Sequence, residues 1–204
     1  MLLERVEPRW QGECCIVAAP GPSLTPEIAE ACRGDRVISV NDAYRRLPFA
    51  DVLYACDAKW WNVHGDCKGF AGEKWSSHDG QGNKKLKEAE LYSLKLVCGE
   101  SRKGFSLDPG RIHYGGNGGF QAVNLAILFG ARRIVLVGFD MHGSHFFGPH
   151  PGPLRNTRNF EKFINSFGEA ARMLPAHIRI VNATPGSALK CFPFVDLVPT
   201  REAA

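Results

Sequence analysis

Three of the seven histidines in this 204-residue chain, His142, His145 and His150, fall within nine residues, directly after Asp140. Imidazole exchanges protons near neutral pH, so the cluster offers general acid–base chemistry, with Asp140 placed to orient a histidine. His150 stands in Gly148-Pro149-His150-Pro151-Gly152, where two prolines stiffen the backbone that presents it. It is the first candidate for a general base, with His142 and His145 as substitutes. The same side chains have the donor types of a divalent-metal site. A surface loop with idle histidines is the plain structural alternative.

Two glycine-rich turns offer a second kind of chemistry. Gly21-Pro22-Ser23 lies between a buried apolar run and a helix start. Gly21 permits a tight turn, and a helix N-terminus presents N–H groups and positive dipole to an anion such as phosphate. Ser23 adds a hydroxyl to that site or simply caps the helix. The turn is neither G-x-G-x-x-G nor a P-loop with its lysine, although Asp42 follows at roughly the spacing of a ribose-binding carboxylate. Gly115-Gly116-Asn117-Gly118-Gly119 also opens a helix. It reads as a bare-backbone loop around a ligand, or as a flexible loop with Asn117 as N-cap.

These residues need a frame to bring them together. Six apolar runs rich in Val and Ile predict strands: Cys14–Ala19, Arg36–Val40, Val52–Cys56, Leu94–Cys98, Arg133–Val137 and Ile178–Asn182. Helical periodicity covers Gly119 to Phe129, stopped by Gly130, and Phe160 to Leu174, stopped by Pro175; a shorter helix covers Pro26 to Cys32. Strands alternating with helices imply right-handed crossovers and a mostly parallel sheet. The fold class expected is α/β, a Rossmann-like three-layer sandwich, with residues 1–204 as one domain. The polar stretch 64–87, with Trp75 in its midst, reads as an inserted flap over the sheet edge or as a plain surface loop. In open sheets of this kind, ligands bind beyond the carboxyl ends of the strands. That rule selects Gly21 to Ser23, Asn41 and Asp42, Asp57, Gly138 to Asp140, and Asn182 with Thr184 and Ser187. For any one of them an ordinary turn role is equally in keeping with its type.

Composition narrows the class. A hydrophobic content of 44% and a charged content of 23% are those of a globular chain with a core. The net charge of +4 suits phosphorylated ligands, but the basic residues are scattered and do not call for nucleic acid. Seven cysteines without a C-x-x-C pair read as buried thiols in a reducing compartment, not as a disulfide framework or zinc site. Met1 to Trp10 is too charged for a signal peptide, and no apolar stretch reaches bilayer length, so a cytoplasmic protein with no membrane span is expected. A homo-oligomer is compatible with these features.

The order of the motifs resembles a family. Ala19-Pro20-Gly21-Pro22-Ser23-Leu24, the Asn after the second strand, Asn117-Gly118-Gly119 leading a helix that stops at Gly130, and Val137-Gly138-Phe139-Asp140 resemble the bacterial sialyltransferases of glycosyltransferase family 42. The match continues through Arg155-Asn156-Thr157 to Ser187-Ala188-Leu189. Motility accessory factors and hydroxymethylpterin diphosphokinase-like proteins share the layout, and small proteins of tailed bacteriophages and prophages look similar. The family has Asn where Pro20 stands, Ser where Gly118 stands, and its catalytic His nearer Pro153 than His150.

The resemblance implies a Rossmann-like, metal-independent transferase that takes a nucleotide-activated sugar and needs no cofactor. Gly21, Pro22 and Ser23 would lie near the phosphate. Asn41 would contact the nucleotide, with Asn117, Gly118 and Gly119 lining the donor pocket; Asp57 joins the nucleotide-binding candidates by its place at the end of the third strand. A histidine before the last helix would be the base, so the catalytic candidates are His150, His145, His142 and Asp140. The expected partner is a nucleotide or nucleotide sugar, with the acceptor unspecified; a phage-encoded copy would act in the bacterial host cytoplasm. Two other functions fit the same residues. One is a diphosphokinase that needs Mg²⁺, with Asp57, Asp140 and the histidines as ligands. The other is a non-catalytic nucleotide-binding accessory protein.

Overall fold

The computed structural model describes residues 3–65, 67–78, 90–150, 152, 154 and 159–197. Among them, eight strands form one sheet: β1 (Cys14–Ala18), β2 (Arg36–Val40), β3 (Val52–Tyr54), β4 (Glu73–His78), β5 (Lys95–Glu100), β6 (Arg111–His113), β7 (Arg133–Val137) and β8 (Arg179–Asn182). Their spatial order is β6-β5-β4-β3-β2-β1-β7-β8, and every pairing is parallel. The chain walks outward from β1 to β6, then returns to lay β7 on the other side of β1. The order therefore reverses between β1 and β7, where the connections that follow the two strands leave the sheet in opposite directions. Such a switch point opens a crevice at the carboxyl ends.

Both faces of the sheet are covered, as the continuous apolar runs require. Cys15 and Val17 face one core with Val40, Tyr54 and Ile134, beneath α3 (Gly118–Leu128) and α4 (Phe160–Arg172). Ile16 and Ala18 face the other with Val37 and Leu53, beneath α1 (Pro26–Ala31), the 3-10 turn η1 (Asn41–Arg45) and α2 (Ala58–His64). The three-layer α/β class expected from the sequence is the one observed. Helix α3 is buried along its whole length. Its two polar side chains are matched inside: Gln121 accepts from Tyr54 at 2.6 Å and Ser77 at 2.8 Å. Asn124 accepts from the Ser106 and His113 amides, both at 2.9 Å. Gly130 ends the helix with φ +94, the left-handed stop that glycine allows.

The flap reading of 64–87 does not hold for its centre. Glu73–His78 is an interior strand, paired with β3 and β5, and Trp75 is buried in the core. Its Ser-Ser-His end hides the strand from a hydrophobicity reading, because these polar side chains are buried here, Ser77 with its hydroxyl on Gln121. Residues 79–87 lie outside the described residues. Strand β6, three residues at the sheet edge, is too short to show a pattern. Helix α2 begins at an Asp57 cap and buries Trp60 and Trp61.

At the amino ends of the strands, Glu73 gathers Arg9 through two bonds of 2.8 and 2.7 Å, Lys95 at 2.8 Å and the Trp75 indole at 2.8 Å. The Arg9 guanidinium leads these partners in drawing the Glu73 carboxyl down from 4.5 to about 2, against the opposing effect of burial. A lowered carboxylate stabilises the fold above its ordinary value, and that contribution is lost as pH falls toward the folded value. Glu73→Gln is therefore expected to cost about 1–2 kcal/mol at about pH 7, allowing for solvent screening. Urea unfolding should show the gap to wild type shrinking by more than half at about pH 3. An unchanged gap would mean that the network adds nothing through charge.

Candidate functional site

The crevice at the β1/β7 switch point is built from five chain segments. It is lined by Ala19 to Gly21 after β1, Val40 and Asn41 at the end of β2, Asn117 to Gly119 at the start of α3, and Gly138 to His145 after β7, with Phe160 and Phe163 of α4 as one wall. The structure thus brings together eight of the twelve candidate catalytic and nucleotide-binding residues, Gly21, Asn41, Asn117, Gly118, Gly119, Asp140, His142 and His145, together with Gly138 and Phe139. Pro22, Ser23, Asp57 and His150 do not line it. Arg155-Asn156-Thr157 and Pro153 lie outside the described residues.

The backbone at the switch point is drawn tight. The Ala19 amide donates to the Val137 carbonyl at 2.9 Å and that of Gly21 to Gly138 at 3.1 Å. The Asp140 carboxylate then clamps the first turn, accepting from the Ser23 amide at 3.2 Å and the Ser23 hydroxyl at 2.8 Å. A Cβ on Gly21 would overlap both Asp140 Oδ2 and the Gly138 carbonyl oxygen. Glycine is needed here for this internal contact. Ser23 is spoken for by Asp140, and the cap of α1 is Thr25, which accepts from the Ile28 amide at 3.2 Å. Asp140 is likewise turned to Ser23.

Residues after β8 brace the same corner from behind. The Phe139 amide donates to Thr184 at 3.0 Å, the Ser187 hydroxyl to the Phe139 carbonyl at 2.6 Å, and the Ala188 amide to the Asp140 carbonyl at 2.9 Å. Asn182 accepts from the Thr184 amide at 3.0 Å and donates to the Leu189 carbonyl at 3.0 Å. The polar residues at the end of β8 are therefore structural supports of the crevice floor.

Opposite the clamp, Asn117 caps α3 by accepting from the Phe120 amide at 2.9 Å. The helix ladder has no acceptors for the remaining N–H groups of its first turn, and Gly118 and Gly119 bring that turn to the crevice wall without side chains. Asn41 adopts φ +49 and Met141 φ +58. A left-handed conformation is costly for a side chain other than glycine, least so for asparagine, and both of these residues line the crevice.

The histidines differ in position. His145 is half-buried at the crevice wall, and its Nδ1 lies 3.3 Å from the Gly148 carbonyl. A carbonyl only accepts, so Nδ1 carries a proton, which makes Nε2 the acceptor nitrogen of the neutral ring. His142 is exposed, with Nε2 3.3 Å from the Gly186 carbonyl. His150 stands behind His145, their ring centroids 4.4 Å apart, with its Nδ1 3.9 Å from Asp42 Oδ2. Burial, and then the neighbouring His145, push its imidazole below the ordinary value. Asp57 is exposed and caps α2 through the Lys59 amide at 2.8 Å. Among the described residues, no three His, Cys, Asp or Glu side chains gather at metal-holding spacing. The ligand set of the diphosphokinase alternative, Asp57 with Asp140 and the histidines, is not assembled there.

Sequence reasoning missed the aromatic wall and the group behind the histidines. Phe160 and Phe163 fit the apolar stripe of α4 and read as core. Their place in the first turn of a helix that follows the histidine loop is the signal that was available. Asp42 contacts His64 from a helix that has no strong periodicity, and no sequence spacing announces that pair.

Among solved structures, the chain is similar to the MAf glycosyltransferase from Magnetospirillum magneticum AMB-1, with a TM-score of 0.67 at 13% identity. The match covers 98% of this chain and 37% of that one, so this chain spans little more than a third of that protein's length. At this identity the likeness is one of fold. No protein-family model matches the sequence, and no curated protein is similar to it. No helix among the described residues is long and apolar enough to cross a membrane.

Proposed function

We propose that the chain is a nucleotide-binding, glycosyltransferase-like transferase that holds a nucleotide-activated sugar in the β1/β7 crevice. The observation that carries this reading is convergence. At one switch point meet the bare first turn of α3, a left-handed Asn41, and a histidine whose Nδ1 is held on the Gly148 carbonyl. The donor phosphate would rest on the N–H groups of Gly118 and Gly119, with the helix dipole behind them. Asn41 would bond the nucleotide, and Phe160 and Phe163 would give its base an apolar face. His145 would take the proton from the acceptor hydroxyl as the sugar is transferred, while the α3 N-terminus stabilises the leaving phosphate. The fold likeness to a glycosyltransferase agrees with this reading.

Thermal unfolding in a panel of nucleoside mono- and diphosphates and nucleotide sugars tests it. A ligand at 100 times its Kd should add about 2.7 kcal/mol of stability, and the shift should survive EDTA. Stabilisation that depends strictly on Mg²⁺ would favour the diphosphokinase reading. Stabilisation without turnover of any nucleotide sugar would favour a non-catalytic binder, and no stabilisation by any compound would contradict nucleotide binding.

A further inference from the structure

A second row of titratable groups stands behind the crevice histidine. Asp42 is 2% exposed, directly after the crevice residue Asn41. Its Oδ2 accepts from the Trp60 indole at 2.8 Å, and its Oδ1 lies 3.0 Å from His64 Nε2. The other nitrogen of His64 is 2.9 Å from the Trp60 carbonyl, and the His64 ring stacks on Trp60 with centroids 4.1 Å apart. A carboxylate and a carbonyl only accept, so His64 makes both bonds only with a proton on each nitrogen. Burial opposes that charge, but the Asp42 and Trp60 bonds outweigh it and hold the His64 imidazole above its ordinary value. Burial likewise disfavours the Asp42 charge, and the His64 and Trp60 bonds outweigh it, keeping the carboxyl below its usual range. Asp42 is therefore a fixed buried anion.

That anion faces His150 at 3.9 Å, and His150 packs on His145 at the crevice wall. Phe147 closes the stack, with centroids 5.0 Å from His145 and 5.2 Å from His150. Among the described residues, the titratable groups acting on His150 are Asp42 from η1, His64 from α2, and His145 from its own loop; Arg45 of η1 lies 3.7 Å from Asp42. Asp140, the carboxylate expected from the sequence to orient a histidine, is turned away to Ser23.

We propose that Asp42 is the positioning residue of this site: it draws the Nδ1–H of His150 toward its Oδ2, and His150 in turn holds the His145 ring at the crevice wall. The catalytic meaning of this arrangement rests on the transferase reading, because His145 is the group that would touch the acceptor. The Asp42–His150 link itself is measurable without substrate.

Long-range ¹H–¹⁵N NMR of the full chain reads the tautomer of each imidazole. His150 is expected to carry its proton on Nδ1 near neutral pH, and His64 to carry one on both nitrogens. A bare Nδ1 on His150 in the wild-type protein overturns the proposal, whatever any variant does. In Asp42→Asn, His64 should become neutral, with Nδ1–H still on the Trp60 carbonyl, and His150 should lose its preference for Nδ1–H. Unchanged His150 in a folded Asp42→Asn protein also overturns it. With a nucleotide sugar that wild type turns over, Asp42→Asn should lower kcat by roughly 10²-fold and leave the donor KM nearly unchanged. Loss in KM alone would assign Asp42 to donor binding and overturn the positioning role. If wild type turns over no nucleotide sugar yet shows the expected tautomers, the transferase reading fails while the positioning link stands.

Discussion

His145→Ala is expected to cut turnover of a nucleotide-activated donor by roughly 10²–10⁴-fold, with donor affinity nearly unchanged. The reason is local. Nδ1 of His145 is committed to the Gly148 carbonyl, so Nε2 is left as an acceptor on a ring that lines the crevice. A base touches the acceptor hydroxyl, and its removal spares the contacts made to the donor phosphate. His150→Ala should have a smaller effect than His145→Ala, because His150 acts only through the ring in front of it. Steady-state kinetics of His142→Ala, His145→Ala and His150→Ala, each with a donor-binding measurement, separate these roles. Full activity in His145→Ala with loss in His150→Ala would place the base one ring deeper. Full activity in all three would place the base outside this histidine cluster.

Gly21→Val is expected to destabilise the fold by about 2–4 kcal/mol and to abolish nucleotide binding. The new side chain would overlap the Asp140 carboxylate and the Gly138 carbonyl, the two groups that join the β1 and β7 turns. Asp140 would have to leave Ser23, and the corner braced by Thr184 and Ser187 would open. Denaturant unfolding reads the first effect and calorimetric titration the second. A variant with wild-type stability and wild-type affinity would show that the corner yields freely, and that the crevice does not depend on it.

The fold was legible where burial is continuous. β1, β2, β7 and β8 are each buried along most of their length, and each announces itself as an apolar run. These strands flank the switch point, so the glycine turns and Asn41 could be placed at its rim from sequence alone. β4 was not legible, because its end is polar yet buried, and Ser77 is matched by Gln121 on α3, a contact 44 residues away. Among the crevice residues, Asn41 and Gly138 were readable because those strand ends turn left-handed, and Gly21 because the backbone there passes too close to Asp140 for a side chain. The partners of charged groups were not. Asp140 pairs with Ser23 across 117 residues and Asp42 with His64 across 22, and such pairings arise from the order of strands, which no local pattern encodes.

Backbone amide NMR during titration with a nucleotide sugar tests the central claim most directly. The compound that stabilises the protein most should move the amides of Asn41, Gly118, Gly119 and Gly138 together, with one shared Kd, and leave the β6 edge around Arg111 to His113 unmoved. Shifts that gather elsewhere, or a saturable ligand that leaves Gly118 and Gly119 untouched, would contradict a nucleotide site at the β1/β7 switch point.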